Sequence, residues 1–600
     1  MKSVQIPILK FKLLKGKCMK IRRLFGLLLA FSMVLSHETF AAGGDATEPQ
    51  ASTNAVAGGE PVTTDMLLKG TDDTSRWLMY GGNYGNWRYS PLTDINKKNV
   101  DEIVPVWLFQ TGVPGAQFAN SPIVVDGVMY VSAAFNNLWA LDAKTGTILW
   151  HYEHDGAQDV ALCCGAGNRG VAIKDDLIYM ATLDAKLIAF ERATGEIRWS
   201  AELEDYKKGY SATSSPLIVG DIVISGIAGG EYGVRGFISA FDAATGKKLW
   251  KRYTVPAAGE PGSETWAGDS WKTGGGPTWS TGTYDPETNL VYWGVGNPAP
   301  DWNGDVREGD NLYTNSLVAL EPATGEMSWY FQFTPHDEWD YDATNPLIVD
   351  DVEVNGKSVR AVMQPNRNGY VYTLDAKTGE YLKGFQYTDR LTWSSGLDEN
   401  GRPIVNEDAR PKKEPGEKVC PGLAGGHNGA WTYAYNPHKK LMFVPTVESC
   451  MPVFKEDVVF VQSQPFWGGG PTTPETDDGS AYGFIAAIDP AGGEIKWKHK
   501  NEHPFAAGAL ATGGGIVFSG DQAGNAIALD DSTGELLWQF QTGSAVRSQP
   551  VTWKADGRQY VAIASGLGGL VPNLTGRAQN VNRGGTLVVF ALPETKWFWE

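Results

Sequence analysis

The chain has 600 residues, of which 42% are hydrophobic, 20% charged, 72 glycine and 22 tryptophan. That composition excludes disorder and collagen, and suits a large, turn-rich β core packed with aromatic rings. The net charge of −18 and the lack of any Lys/Arg run beyond the N-terminus exclude a phosphate-backbone partner, so no nucleic acid is expected.

At the N-terminus, Lys20, Arg22 and Arg23 precede an apolar stretch from Leu24 to Leu35 and then the small-residue site Thr39-Phe40-Ala41-Ala42. This pattern predicts a secretory signal over residues 1–41, with Met19 an alternative start, and an exported, periplasmic mature chain. The apolar stretch is too short to span a bilayer and no other segment approaches the required length, so no membrane span is expected. Residues 1–41 carry eight Lys/Arg and one Glu, and their removal moves the net charge from −18 to −25. So acidic a surface suits a soluble protein that docks a basic partner.

A phrase then recurs along the chain, at residues 140–150, 189–199, 240–250, 319–329, 487–497 and 528–538, with a weaker copy at 373–383. Each copy reads as a strand end, a tight turn of the form Asp142-Ala-Lys-Thr-Gly146, and a second strand, ended by Trp in all but the weak copy. The glycine can adopt a positive φ there, and the Trp is expected to wedge between neighbouring units. Successive copies end 49, 51, 79, 54, 114 and 41 residues apart, the spacing of four-stranded propeller blades with insertions. The widest gap leaves room for a degenerate blade near Tyr435–Phe443 and makes eight. Short alternating strands such as 121–131 fill the intervals, so the expected fold is all-β, an eight-bladed propeller forming one domain over 42–600. Long inserts near 255–275 and 390–430 are expected to cover one face.

A propeller is a scaffold, equally able to carry an enzyme or a binding platform, so function must come from polar groups. Cys163-Cys164-Gly-Ala-Gly-Asn-Arg-Gly170 contains a Gly-x-Gly-x-x-Gly spacing, but a hairpin and not a helix should follow it, which argues against a dinucleotide site. The adjacent cysteines are either two buried thiols or a strained eight-membered disulfide ring, since neighbouring Cα atoms stand closer than in ordinary bridges. Of the rest, Cys18 lies in the signal, and Cys420 and Cys450 remain as a long-range pair suited to an oxidising compartment. There is no Cys-x-x-Cys-His, and hence no c-type haem is expected on the chain.

Further along, Glu231 in Gly-Gly-Glu, Asn297 in Gly-Asn-Pro-Ala-Pro, and Asp340 and Asp342 in His-Asp-Glu-Trp-Asp-Tyr-Asp form an acidic and amide set. In an extended segment Asp340 and Asp342 would point to one side. Like charges so close call for a cation or a retained proton, and hard oxygen ligands favour a hard ion of high coordination number over zinc.

With these motifs in this order, and the Trp-ended repeats in register from Trp87 to Pro593, the mature chain resembles the quinoprotein alcohol dehydrogenases, which use pyrroloquinoline quinone. The resemblance implies that a Cys163–Cys164 ring lies on one face of the quinone and Trp279 on the other. Arg169, Thr213 and Asn428 would contact its carboxylates and carbonyls, and Arg367 would donate beside the reacting carbon. Glu231, Asn297 and Asp340 would hold the metal, with Asp340 as general base. Asp342 stands where calcium-type members carry a small uncharged residue and lanthanide-dependent members carry Asp, so a lanthanide is expected, with Ca²⁺ the alternative. The family's Glu near Ala119, its frequent Ser at Ala228 and its Trp near Ala506 are absent, which puts one quinone contact in question.

Segments 309–316 and 568–572 look more like ethanol-type members. Small to medium primary alcohols are therefore the expected substrates, ahead of methanol alone, polymer or cyclic alcohols, or a cofactor-free binding role. Reduced quinone would pass electrons to a separate soluble cytochrome c, docked on the acidic surface in a salt-sensitive way. A homodimer is compatible with the chain but not dictated by it.

Overall fold

A computed structural model describes residues 59–594 apart from 114–116, 158, 473–480, 570–573 and 576–582. The expected signal over 1–41 lies outside the described residues, as does most of segment 568–572. Eight four-stranded antiparallel sheets follow one another as blades, at residues 123–152, 172–202, 217–253, 283–332, 348–386, 434–501, 510–541 and 551–591, here numbered 1 to 8. Tyr89–Ser90 adds a parallel strand to the inner edge of blade 7. The only α-helix among the described residues is the six-residue Thr64–Lys69.

The identity of the eighth blade differs from the sequence expectation. Residues 435–443 do not begin a separate degenerate blade: Ala434–Asn436 and Leu441–Glu448 are the first two strands of the blade that ends with Trp497. The 114-residue gap arises because an insert, with its own small pairing of Val453–Lys455 and Gly469–Pro471, separates the second and third strands of that blade. The true eighth blade is split across the chain. Its outer strand is the early segment Val104–Gln110, which pairs with Thr586–Ala591 and closes the ring. A repeat divided in this way leaves no contiguous phrase to find.

Why the Trp and the turn glycine recur is now evident. The indole N–H of Trp150 donates to the Arg192 carbonyl of the next blade at 3.0 Å, and Trp199, Trp250, Trp329 and Trp497 donate to the corresponding carbonyls of Ala243, Pro322, Ala376 and Asp531. Each ring lies flat against the next blade's turn glycine: a Cβ on Gly195 would stand 2.7 Å from the Trp150 ring, and Gly195 holds φ +75°. Glycine is thus required twice over, for its backbone angle and for the absence of a side chain. The aspartate of the turn fixes the bend from within, as Asp142 Oδ1 accepts from the Lys144 and Thr145 amides. At the closure, Trp107 of the N-terminal strand covers Gly146 of blade 1 in the same way.

Candidate active site

In an antiparallel meander, the chain enters strand one and crosses from strand two to strand three at the same end of the sheet, while the Asp-x-x-Thr-Gly turns lie at the other. Eight blades therefore deliver two sets of loops to one face. Ala119, Arg169, Thr213, Trp279, Asp342 and Asn428 each stand a few residues before the first strand of blades 1 to 6 respectively. Glu231, Asn297 and Arg367 lie between strands two and three of blades 3, 4 and 5. Cys163 and Cys164 occupy the connection from blade 1 to blade 2 and are joined in a disulfide; Cys420 and Cys450 form the second bridge.

These loops line one cavity, open at its mouth, whose walls include Cys163, Cys164, Arg169, Thr213, Glu231, Trp279, Asp340, Asp342, Arg367 and Asn428. Arg169 Nη1 donates to Thr213 Oγ1 at 2.6 Å, and its guanidinium stands 4.7 Å from the centre of the Trp279 ring. Arg367 Nη1 lies 3.3 Å from Asp342 Oδ2 and 3.6 Å from Asp340 Oδ1, while another of its nitrogens donates to the Leu423 carbonyl. Cys163 Sγ is 3.3 Å from Glu231 Oε1. Asn297 is wholly buried behind this wall, and its backbone N–H donates to Asp342 Oδ1 at 3.1 Å. Asn428 Oδ1 accepts from the Ala430 amide, which turns its side chain along the wall.

One expectation needs correcting in its reason. Asp340 and Asp342 do converge on Arg367, but not as alternate residues of an extended segment: Asp340 has φ +59°, in the left-handed region. Aspartate tolerates that region better than most residues. Of the two segments read as substrate-determining, 309–316 does not reach the cavity wall, whereas Leu574, just beyond 568–572, does.

The site carries more negative charge than its cations balance. Burial pushes the Glu231 carboxyl up to about 7, reinforced by the Asp342 charge. Burial also holds Asp340 and Asp342 above the usual carboxylate range, against the pull of Arg367. A further acid escaped sequence reasoning: Asp301, 2% exposed, is driven well up by burial and by Asp340 and Glu231. Asn297 Oδ1 and Asp301 Oδ1 are buried with no hydrogen-bond partner among the described residues. Carboxylates that disfavour one another, beside an amide oxygen with nothing to accept, are the donor set of a multivalent cation.

At another part of the wall the imbalance reverses, because Arg547, 2% exposed, sits near Arg169 and pairs with no acid among the described residues. Arg547 was also missed, yet a signal existed. It stands four residues before the first strand of blade 8, the offset that Ala119, Thr213 and Trp279 hold in theirs.

Comparison with known proteins gives the chemistry this geometry serves. The glucose/ethanol/alcohol dehydrogenase β-propeller model of the PQQ enzymes matches residues 77–389. The chain belongs to the pyrroloquinoline quinone-dependent alcohol dehydrogenases. A second model, described as outer membrane protein assembly factor BamB, matches only 481–571, a stretch of blade repeats. Quinoprotein alcohol dehydrogenase PedH of Pseudomonas putida is 40% identical over 562 residues, covering 89% of this chain and 94% of its own. A lanthanide-dependent methanol dehydrogenase of Methylorubrum extorquens is 34% identical, over 89% of this chain and 96% of its own. The solved structure of a europium-containing methanol dehydrogenase superposes with a TM-score of 0.83 at 33% identity, covering 88% of this chain and all of that one. As a member of this family, the dehydrogenase oxidises alcohols.

The residues fit the cofactor the family uses. Disulfide and Trp279 lie on the wall of one cavity, Arg169, Arg367 and Arg547 all have buried nitrogens with no partner among the described residues, and the carboxylates stand beside an Asn297 Oδ1 that likewise has none.

Proposed function

We propose that this dehydrogenase oxidises small to medium primary alcohols to aldehydes with bound quinone and a lanthanide ion, and passes the electrons to a soluble cytochrome c outside the cytoplasm. The observation that carries the reading is the third carboxylate: Asp342 joins Glu231 and Asp340 in a buried set, so the protein offers three negative charges where a divalent ion needs fewer. Glu231, Asn297, Asp340 and Asp342 would hold the metal, with calcium the alternative ion. When bound, the quinone supplies the hydride acceptor and the metal the Lewis acid.

The chain's own residues do the rest. Asp340 is the carboxylate placed to receive the alcohol proton, and a bound cation would keep it ionised despite its burial. Arg367, 3.6 Å from it, orients that carboxylate and offers further donors toward the reacting centre. The disulfide and Trp279 supply apolar wall on which the flat quinone would rest. The names of the lanthanide-dependent relatives support the choice of ion, and the acidic net charge of −18 supports a basic or dipolar acceptor.

The test is dye-linked oxidation of methanol, ethanol and butanol by protein loaded with quinone and either lanthanum or calcium, beside Asp342→Ala. Activity is expected with lanthanum and should fall at least 100-fold in the variant, roughly what loss of one anionic contact to a multivalent ion costs. Equal activity with calcium in both proteins overturns the choice of ion. Inactivity of the unaltered protein with either metal overturns the substrate class.

A further inference from the structure

Two wholly buried arginines away from the cavity are saturated. Arg88 donates to the carbonyls of Tyr80, Ala509 and Pro550 and to Ser121 Oγ. Arg307 donates to Pro300, Asp301 and Asp337 carbonyls and to Asn311 Oδ1. Arg547, on the cavity wall, is not saturated. It is as buried as these, yet its Nε and Nη1 have no partner among the described residues, and its planar group stands 6.0 Å from the Trp431 ring centre. The charged neighbour that acts on it is a second cation, Arg169, whose Nε is likewise without a partner. No acid lies in the adjoining stretch 566–582 either.

A buried guanidinium beside another, on a cavity wall and with donors unused, is unfavourable unless an anion completes it. Two planar forks suit the paired oxygens of a carboxylate. The location adds a second argument. Gln549, two residues on, donates from its backbone to Asn120 and from its side chain to Ala119, so this loop of blade 8 is stitched to the loop where the family pattern places a glutamate that this chain lacks. A glutamate could meet a cofactor carboxylate only by keeping a proton between them. An arginine meets it by charge.

We infer that Arg547, with Arg169, clamps a carboxylate of the bound quinone, replacing the acidic contact absent at Ala119. This rests on the quinone reading above and adds a cofactor-holding residue to it. Blade 8 thereby contributes to a site otherwise read from blades 2 to 6.

The measurement is equilibrium titration of the metal-loaded, quinone-free protein with pyrroloquinoline quinone and, separately, with its trimethyl ester, followed by quenching of tryptophan fluorescence. Arg547→Gln should weaken binding of the acid by roughly 30-fold or more, the usual loss on truncating one partner of a buried charge pair. Its binding of the ester, which offers no carboxylate, should change less than about threefold. Arg547→Leu guards against misfolding. It removes an unpaired buried charge, so its quinone-free form should melt above the unaltered protein while the rise in melting temperature on adding quinone shrinks. Equal affinity of Arg547→Gln and the unaltered protein for the acid, equal losses for acid and ester, or a lower quinone-free melting point for Arg547→Leu would each overturn the inference. Failure of the unaltered protein to bind quinone would instead overturn the function proposed above.

Discussion

At the scale of single residues, the site is a problem of charge placed out of water. Burial holds Glu231, Asp301, Asp340 and Asp342 above the ordinary carboxylate range, and neighbouring carboxylates add to the rise at Glu231, Asp301 and Asp340. Asp301 shows the consequence most directly, since it adds a carboxyl whose Oδ1 has no partner among the described residues. A raised acid destabilises the fold wherever the unfolded chain would be ionised, so the cost is absent below the ordinary carboxylate pKa and grows as pH rises past it. Asp301→Asn keeps the shape and removes that cost. Metal-free protein carrying it should be more stable by about 1–2 kcal/mol at pH 7 and no more stable near pH 3, as read by urea unfolding at the two pH values. A loss of stability at pH 7 would mean that Asp301 has a counter-charge in the metal-free protein.

At the scale of the blade, the repeated phrase is an interface and not only a hairpin. Asp142 holds the turn, Gly146 clears space for a neighbour's ring, and the Trp closing each unit reaches forward to the next. Blade 5 shows that the interface tolerates another occupant: Lys383 takes the Trp position, and its aliphatic stem lies over Gly493 of blade 6. A Cβ is tolerated much less well. Gly195→Ala would meet the Trp150 ring at 2.7 Å and also force alanine to φ +75°, so a loss of about 2–3 kcal/mol is expected in thermal or denaturant unfolding. Gly127→Ala is the control. It shares a positive φ but has open space around it, so it should cost only the backbone part, about 1 kcal/mol.

At the scale of the whole molecule, the ring holds because its ends are joined. Val104–Gln110 completes blade 8 beside Thr586–Ala591, and buried Trp107 carries the inter-blade contact across the seam to Gly146. Trp107→Ala should cost about 3–5 kcal/mol, the usual range for emptying a buried Trp site. Limited proteolysis should then cut first near 104–110, since the seam has no covalent turn to hold it. Cleavage beginning elsewhere would show that blade 8 is not the weakest junction. Among the described residues no helix is long and apolar enough to cross a membrane.

The sequence by itself determined the strand periodicity, the turn chemistry and seven of the blades, and it singled out Cys163-Cys164, Glu231, Asp340 and Asp342, which the fold gathers on one cavity wall, with Asn297 behind it. Each of these is local, a spacing or a run of residues that carries its own physical signature. Tertiary structure alone decided the rest. It revealed that residues 435–443 belong to the blade of Trp497 and that the eighth blade is assembled from both ends of the chain. It put Asp340 in a left-handed conformation, and brought Asp301 and Arg547 to the site. Those facts depend on which strand lies beside which and on which charges lack a partner once water is gone, and neither quantity is written in any single stretch of the chain.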